Sequence, residues 1–207
     1  MMNLYYSPGA CSQAVHILLH ETGFRHDSTR VDLATKRTEH GDDYLAINPK
    51  GAVPALQLDS GDVLTENAVI LQYLGDMSGS TDLLPPMGDF RRYRVLEWLN
   101  FVATELHKSF SPFFRGAGEE TQAMFRDLIA NKFHLVDDRL GRSDYLCGEE
   151  LTIADPYLFV MTGWAAMQGF DVARWSNVSA FRDRMMERPA VRNVLRFEGL
   201  LQDETAG

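Results

Sequence analysis

The sequence has little cysteine and little positive charge, and it lacks any long apolar run. Only two of its 207 residues are cysteines, too few for a disulfide framework, so we expect a reducing cytoplasm. No stretch approaches the roughly 20 apolar residues that cross a bilayer, and no signal peptide is expected. With 20 basic and 29 acidic side chains and a net charge of −9, the surface does not attract nucleic acid or anionic membrane. An anionic small ligand would therefore need a local cationic pocket.

The pattern of apolar residues changes near residue 80. Residues 1–78 alternate predicted strands and helices, which indicates a small α/β unit with a mixed sheet. Residues 79–89 are small, polar and proline-bearing, as in a linker. Residues 90–207 have helical periodicity almost throughout, and "LTIADPYLFVMTGWAAM" predicts a central buried helix. Thr152 and Asp155 stand at capping-box spacing where that helix starts.

Cys11 stands between a predicted strand with its turn, "YYSPGA", and a predicted helix. Backbone N–H groups at a helix N-terminus are unpaired and partly positive, so a thiolate, the reactive form, is stabilised there. A small buried cysteine is an equally good interpretation of the position. Ala14 occupies the resolving position of a C-x-x-C motif, which excludes a dithiol cycle within it. Ser12 is either a helix cap or a hydroxyl donor to a bound sulfur.

Two further stretches suit a peptide-like ligand. Val53-Pro54 opens a predicted strand, where the proline interrupts ladder pairing and leaves Val53 backbone groups for a ligand. An ordinary edge-strand proline is the simpler local interpretation, since only about 5–6% of X–Pro bonds are cis.

Glu66 and Asn67 precede a helix whose N-terminus suits an anion, and Glu66 suits an ammonium group. Together they fit a zwitterionic amino-acid head. Simple capping by Asn67 is the alternative.

A polar stripe follows the first long helix of the second half. At 100° per residue one face carries Asn100, Thr104, His107, Lys108 and Ser111. A solvated helix face explains this stripe, and so does a surface that closes over the first half. In the second case His107 and Lys108 would favour a thiolate at Cys11 and supply the positive charge that the acidic surface lacks.

Taken in order, these motifs resemble the bacterial beta-class glutathione transferases over essentially the whole chain. The resemblance is carried by "YYSPGACS", "AINPKGAVPALQLD", "EWLNF" with "ELHKSFSP", and "LTIADPYLF". It implies an α/β plus all-α fold, with a thioredoxin-like N-terminal domain at 1–78 and an all-helical domain at 90–207, in a homodimer. It implies a detoxification enzyme that transfers glutathione, its co-substrate, to small hydrophobic electrophiles without a metal.

The same resemblance assigns residues to the sulfur pocket. Cys11 contacts the glutathione sulfur and forms a mixed disulfide with it, which implies thiol reductase activity as well. His107 and Lys108 line the pocket. Tyr6 is a rival sulfur partner, because other classes of the family use an N-terminal tyrosine, and Ser12 is a third possibility.

The peptide part of glutathione is assigned to other residues of the first half. Val53 pairs with the cysteinyl backbone ahead of a cis Pro54, and Lys36 holds the glycyl end. Glu66 and Asn67 hold the γ-glutamyl head. The family usually has serine where this chain has Asn67, whose amide both donates and accepts, so we expect this contact to have altered geometry.

Three assignments lie in the second half. Asn100 is grouped with the glutathione-binding residues through its stripe, and Glu105, which points away from that stripe, is expected to reach across the dimer. Cys147 lies in no motif and is interpreted as structural.

A non-catalytic binding module that keeps the fold is the competing function. Retention of Cys11 and His107 argues against it.

Overall fold

The computed structural model describes residues 1–202, and the chain folds into two compact units. The first unit combines Met1–Ser78 with the chain from Met186 onward, and the second is Gly79–Met185. This differs from the predicted division, which assigned the whole of 90–207 to the second domain. The end of the chain joins the first unit because its last helix packs against the first helix.

A mixed sheet forms the centre of the first unit. Its strands, in the order β3-β2-β1-β4-β5, are β1 (Met2–Tyr6), β2 (His26–Asp32), β3 (Arg37–Thr38), β4 (Ala55–Gln57) and β5 (Val63–Thr65). β1 runs parallel to β2, whereas β4 is antiparallel to both β1 and β5. The predicted mixed sheet is therefore present. β3 was not predicted, because two residues are too few to show alternation.

Three helices of the first unit follow the predicted positions, namely α1 (Ser12–Thr22), α2 (Tyr44–Ile47) and α3 (Asn67–Ser78). The apolar residues of α1 between Ala14 and Leu19 are all buried. α1 ends at Gly23, whose φ of 67° is the left-handed conformation that glycine adopts without steric penalty.

The second unit contains α4 (Phe90–Phe101), α5 (Ser111–Phe114), α6 (Glu119–Leu140), α7 (Asp155–Met167) and most of α8 (Ser176–Glu187). α7 is the predicted central helix, since it is buried over most of its length. The Asp155 carboxylate accepts from the Thr152 N–H and hydroxyl, both at 2.7 Å, and from the Leu146 N–H at 2.9 Å. The predicted pairing of Thr152 with Asp155 therefore fixes the start of α7.

The chain between α4 and α5 departs from a regular α-helix. It forms a π-helical turn at Val102–Leu106 and a 3₁₀ turn at His107–Phe110. A 100° step per residue therefore does not hold here, and the side chains after Phe101 are rotated away from the predicted stripe. π turns inside helices are frequent at functional sites.

The last helix, α9 (Pro189–Phe197), belongs to the first unit and packs on α1. Glu198 follows it, and its buried carboxylate accepts from the Gly9 N–H at 2.9 Å and the Gln13 side-chain amide at 3.0 Å. These bonds tie the end of the chain to the turn that precedes α1. Among residues 1–202, no helix has both the length and the apolar character needed to cross a membrane.

Candidate active site

Cys11 occupies the N-cap of α1 and is 8% exposed. Its Sγ lies 3.3 Å from the Val53 carbonyl oxygen, to which the thiol donates. Its own carbonyl accepts from Asn67 Nδ2 at 3.1 Å. The thiol is thus held where the start of α1, the loop before β4 and the start of α3 meet.

The Val53–Pro54 peptide bond is cis. β4, which starts directly after Pro54, pairs with β1 on one side and β5 on the other, so the edge-strand interpretation of this proline does not hold. The preceding loop is fixed by hydrogen bonds to the Ala52 carbonyl from the Tyr44 hydroxyl and the Asn48 amide, at 2.8 and 2.7 Å. The Val53 backbone is therefore presented at a defined position beside the Cys11 thiol.

Glu66 has a φ of 73°, an uncommon left-handed conformation for a residue with a side chain. Its carboxylate accepts from the Lys50 ammonium at 2.6 Å, and both side chains are more than half exposed. The ammonium group that the carboxylate binds in this structure is that of Lys50. Lys50 was not predicted, because nothing in its neighbourhood indicates a contact with Glu66.

Asn67 does not cap α3 with its side chain. It is the first residue of the helix, and its amide nitrogen donates to the Cys11 carbonyl instead. Its Oδ1 is buried and accepts no hydrogen bond from the part of the chain that the structure describes. A carbonyl oxygen can only accept, so the amide orientation is fixed and leaves Oδ1 as an acceptor for an incoming donor.

Lys36 is also left-handed, with a φ of 58°, and its ammonium donates to the Gly51 carbonyl at 2.7 Å. Gly51 lies in the loop between α2 and β4, two residues before Val53. The long side chain of Lys36 therefore brings its positive charge to the loop that presents Val53.

The two rival sulfur partners make other contacts. The Ser12 hydroxyl donates to the Ser7 carbonyl at 3.3 Å and accepts from the Ser7 N–H at 3.2 Å, so it closes the turn before α1. The Tyr6 ring packs against His16 and Phe197. Burial, reinforced by nearby carboxylates, raises the pKa of Tyr6, which disfavours a tyrosinate. These contacts favour Cys11 over both as the sulfur partner.

His107, in the second unit, turns inward rather than into solvent. Its Nδ1 shares a hydrogen bond with the Tyr157 hydroxyl, and its ring lies edge-on to Trp164 with centroids 5.0 Å apart. The aromatic residues of α7 therefore set the orientation of the imidazole.

The other members of the polar stripe behave differently. Asn100, Thr104 and Lys108 are exposed, and the Thr104 hydroxyl donates to the Asn100 carbonyl. Glu105 forms an ion pair with Lys132 of α6. The π turn thus separates His107 from the solvated residues with which the sequence grouped it.

Family comparisons agree with this geometry. The family model described as "Glutathione S-transferase, N-terminal domain" matches residues 8–77, and "Glutathione S-transferase, C-terminal domain" matches residues 101–189. Glutathione S-transferase GstA of Escherichia coli O157:H7 is 46% identical over 96% of this chain and 100% of its own length. The chain belongs to the glutathione S-transferase family.

Solved structures place the transferase among bacterial relatives. A beta-class glutathione S-transferase of Sphingomonas chungbukensis superposes with a TM-score of 0.92, at 44% identity over 96% of this chain and all of that one. A sphingomonad glutathione S-transferase complexed with glutathione also gives 0.92, at 42% identity with the same coverage. The predicted beta-class membership and fold class are confirmed. The protein is an enzyme, a glutathione transferase, and the alternative of a non-catalytic binding module is not favoured.

The environment of the second cysteine, Cys147, disfavours the thiolate form. Burial and the nearby Asp155 carboxylate raise the pKa of Cys147 to about 12, so the thiol stays protonated at neutral pH. Among the described residues neither cysteine forms a disulfide. The interpretation of Cys147 as structural agrees with this environment.

Glu198 is the other residue that could not be predicted from the sequence. It lies beyond all recognised motifs, yet its carboxylate holds Gly9 and Gln13 on either side of Cys11. Its neighbours in sequence, "RFEGL", carry no signal for this contact, which only the packing of α9 on α1 creates.

Proposed function

We propose that the transferase binds glutathione with its sulfur beside Cys11, conjugates it to small hydrophobic electrophiles, and reduces disulfides through a mixed disulfide at Cys11. The observation that carries this proposal is the position of the Cys11 sulfur. It stands at the N-cap of α1, 3.3 Å from the Val53 carbonyl and next to a cis proline. Support also comes from the sphingomonad relative, whose structure is described as complexed with glutathione.

The backbone and charged groups around Cys11 suit the rest of the tripeptide. Val53 offers backbone groups to the cysteinyl residue, and Lys36 offers an ammonium to the glycyl carboxylate. The N-terminus of α3 suits the carboxylate of the γ-glutamyl head. The head's ammonium would be received by Glu66, and the buried Asn67 Oδ1 is a further acceptor nearby in the chain.

The reductase step balances without any further reagent. The Cys11 thiolate attacks one sulfur of a glutathione-containing disulfide, a new S–S bond forms, and the other sulfur leaves as a thiolate with the bonding electron pair. A second glutathione thiolate then attacks the mixed disulfide, which regenerates Cys11 and releases oxidised glutathione. Glutathione supplies both electrons.

His107 and Lys108 are proposed to stabilise negative charge on the glutathione sulfur. Asn100 is proposed as a glutathione contact. Replacement of His107 by Asn retains a hydrogen-bonding group without the second ring nitrogen. We expect this variant to lower kcat for conjugation more than it raises KM for glutathione, because a thiolate partner acts on the reactive form.

We also propose a cytoplasmic homodimer that acts in detoxification. Phe90 and Tyr93 are exposed on α4, and Trp98 and Phe101 of the same helix line a cavity of about 650 Å³. A second copy of the chain would cover these apolar groups. A reducing, glutathione-rich compartment fits a chain whose cysteines stay unlinked.

Mass spectrometry after incubation with oxidised glutathione tests the proposal. We expect one glutathione adduct per chain in the native protein and in Cys147→Ala, and none in Cys11→Ala. An adduct that persists in Cys11→Ala, or that is lost only in Cys147→Ala, would overturn the assignment of the thiol.

A further inference from the structure

Three histidines of the first unit form a cluster that the transferase site does not use. His16 and His20 lie one turn apart on α1, and His26 begins β2. One ring nitrogen of each lies within 4.8 Å of those of the other two. The ring centroids are 5.3 to 5.6 Å apart. Three imidazoles that converge in this way offer the donor set of a metal site.

Two of these rings are already oriented for ligation. His26 Nδ1 lies 2.8 Å from the Phe24 carbonyl oxygen, which can only accept, so Nδ1 carries the proton and Nε2 the lone pair. His16 Nδ1 lies 3.2 Å from a Glu198 carboxylate oxygen, and the same reasoning assigns its lone pair to Nε2. Metal-binding histidines almost always donate their other ring N–H to a carbonyl or carboxylate in this way.

The Glu198 carboxylate, which orients the His16 ring, is itself held by hydrogen bonds. Its second carboxylate oxygen accepts from the Gly9 N–H and the Gln13 amide, so the orientation of the His16 ring is fixed by a buried network. The Ser28 hydroxyl is 3.4 Å from His16 Nε2, a long contact that a cation would replace.

We propose that His16, His20 and His26 form a site for a divalent transition-metal ion such as Zn²⁺. Three imidazoles with water in the fourth position are a known tetrahedral zinc set, with Zn–N distances of about 2.0–2.1 Å. Those distances require the ligating nitrogens to lie about 3.4 Å apart at tetrahedral angles. The ligating nitrogens lie within 4.8 Å of one another, so binding would draw them together, mainly by movement of His20, because the rings of His16 and His26 are hydrogen-bonded. His16 and His20 have the i, i+4 spacing by which a helix presents two ligands on one face.

A neutral imidazole is the ligating form. No metal was expected from the sequence, in which the one signal for a site is the H-x₃-H spacing of α1.

A bound metal ion would link segments of the chain that are distant in sequence. The ion would join α1 to the start of β2, and through Glu198 it would engage the segment after α9. Cys11 is not among the ligands and lies five residues before the nearest of them, His16, about 8 Å along the helix axis. A bound ion would therefore stabilise the first unit without binding the thiol.

Calorimetric titration of the full-length protein with Zn²⁺ tests the proposal, in the native protein and in a Cys11→Ala/Cys147→Ala variant in which cysteine cannot bind the metal. His20→Gln removes one ligand, and His40→Gln is the matched control because His40 is an exposed histidine outside the cluster. We expect about one Zn²⁺ per chain, and a loss of affinity of about tenfold or more in His20→Gln but not in His40→Gln.

A second measurement does not depend on the heat of binding. Zn²⁺ should raise the midpoint of thermal unfolding of the native protein and of His40→Gln but not of His20→Gln. Co²⁺ should give the visible bands of a nitrogen-coordinated site with no sulfur charge-transfer band. Absence of saturable binding, equal binding by His20→Gln, or loss of binding when both cysteines are replaced would each overturn the site.

Discussion

At the scale of single residues, two groups act on the Cys11 sulfur in opposite directions. The Val53 carbonyl accepts a hydrogen bond from the thiol and so favours the neutral form. The N-terminus of α1 favours negative charge. A glutathione backbone that engaged Val53 would remove the first influence and leave the second. Substrate binding would therefore activate the site at the moment when it is needed.

Replacement of Cys11 by Ala should separate the two activities. We expect reductase activity to be lost, because it requires the Cys11 thiolate as nucleophile. Conjugation should be reduced but present, because glutathione supplies the attacking sulfur. Both rates are measured in the same preparation, with Cys147→Ala as the control that retains both. Full reductase activity in Cys11→Ala would show that the thiol is not the nucleophile and return attention to Tyr6 and Ser12.

Replacement of Glu66 by Gln should weaken glutathione binding by about 1.5 kcal/mol. This is the lower end of the range for a hydrogen bond to a charged group, and the exposure of Glu66 places it there. Gln is preferred to Ala because it preserves the shape of the side chain. Calorimetry with glutathione measures the effect, and Lys50→Met, which removes the internal ammonium, should not weaken binding. An affinity equal to that of the native protein would sink the assignment of Glu66.

At the scale of elements, the sequence predicted helices whose signals lie within the helix itself, but not contacts between segments that are distant in sequence. The helix predicted after Cys11 is present as α1, because its apolar spacing and the glycine after it are local signals. The position of His107 was not predictable, because the π turn at Val102–Leu106 breaks the periodicity on which the polar stripe was constructed. Lys50 and Glu198 act across long sequence separations, so no local pattern contained them.

The start of α7 should make stability depend on pH. Burial raises the pKa of Asp155 to about 6 from its ordinary value of 3.8. The folded protein therefore holds this proton more tightly than the unfolded chain, and the contribution of Asp155 to stability is lost as pH rises from 3.8 towards 6. The loss is on the order of 3 kcal/mol, at about 1.4 kcal/mol per pKa unit.

Urea denaturation of the native protein and of Asp155→Asn at a series of pH values measures this contribution. The difference in unfolding free energy between the two should move in favour of the variant as pH rises through that window. A difference that stays constant with pH would mean that the carboxyl is ionised throughout. The opposite slope would mean that its three hydrogen bonds outweigh the effect of burial.

At the scale of the whole molecule, the proposed homodimer rests on the apolar residues of α4. Sedimentation of the native protein at micromolar concentration should give a dimer. Trp98→Glu should shift it towards monomer, because the charge would be buried without a partner. Met124→Glu is the control, since Met124 is exposed on α6 about 16 Å along that helix from Leu135 of the cavity. A native monomer, or equal dissociation of both variants, would contradict the proposed interface.

The bonds from Glu198 to Gly9 and Gln13 have a consequence for the order of events during synthesis. Translation produces Glu198 about 120 residues after Ser78, the last residue of the continuous part of the first unit. At roughly 5–20 residues per second, the turn around Cys11 waits on the order of ten seconds for its carboxylate partner. A nascent chain halted before Glu198 would contain Cys11 but would lack the carboxylate that accepts from Gly9 and Gln13 on either side of it. The contact that completes the turn around Cys11 therefore forms only after the helical half has been synthesised, and a ribosome that stalls within that half leaves the nascent chain without it.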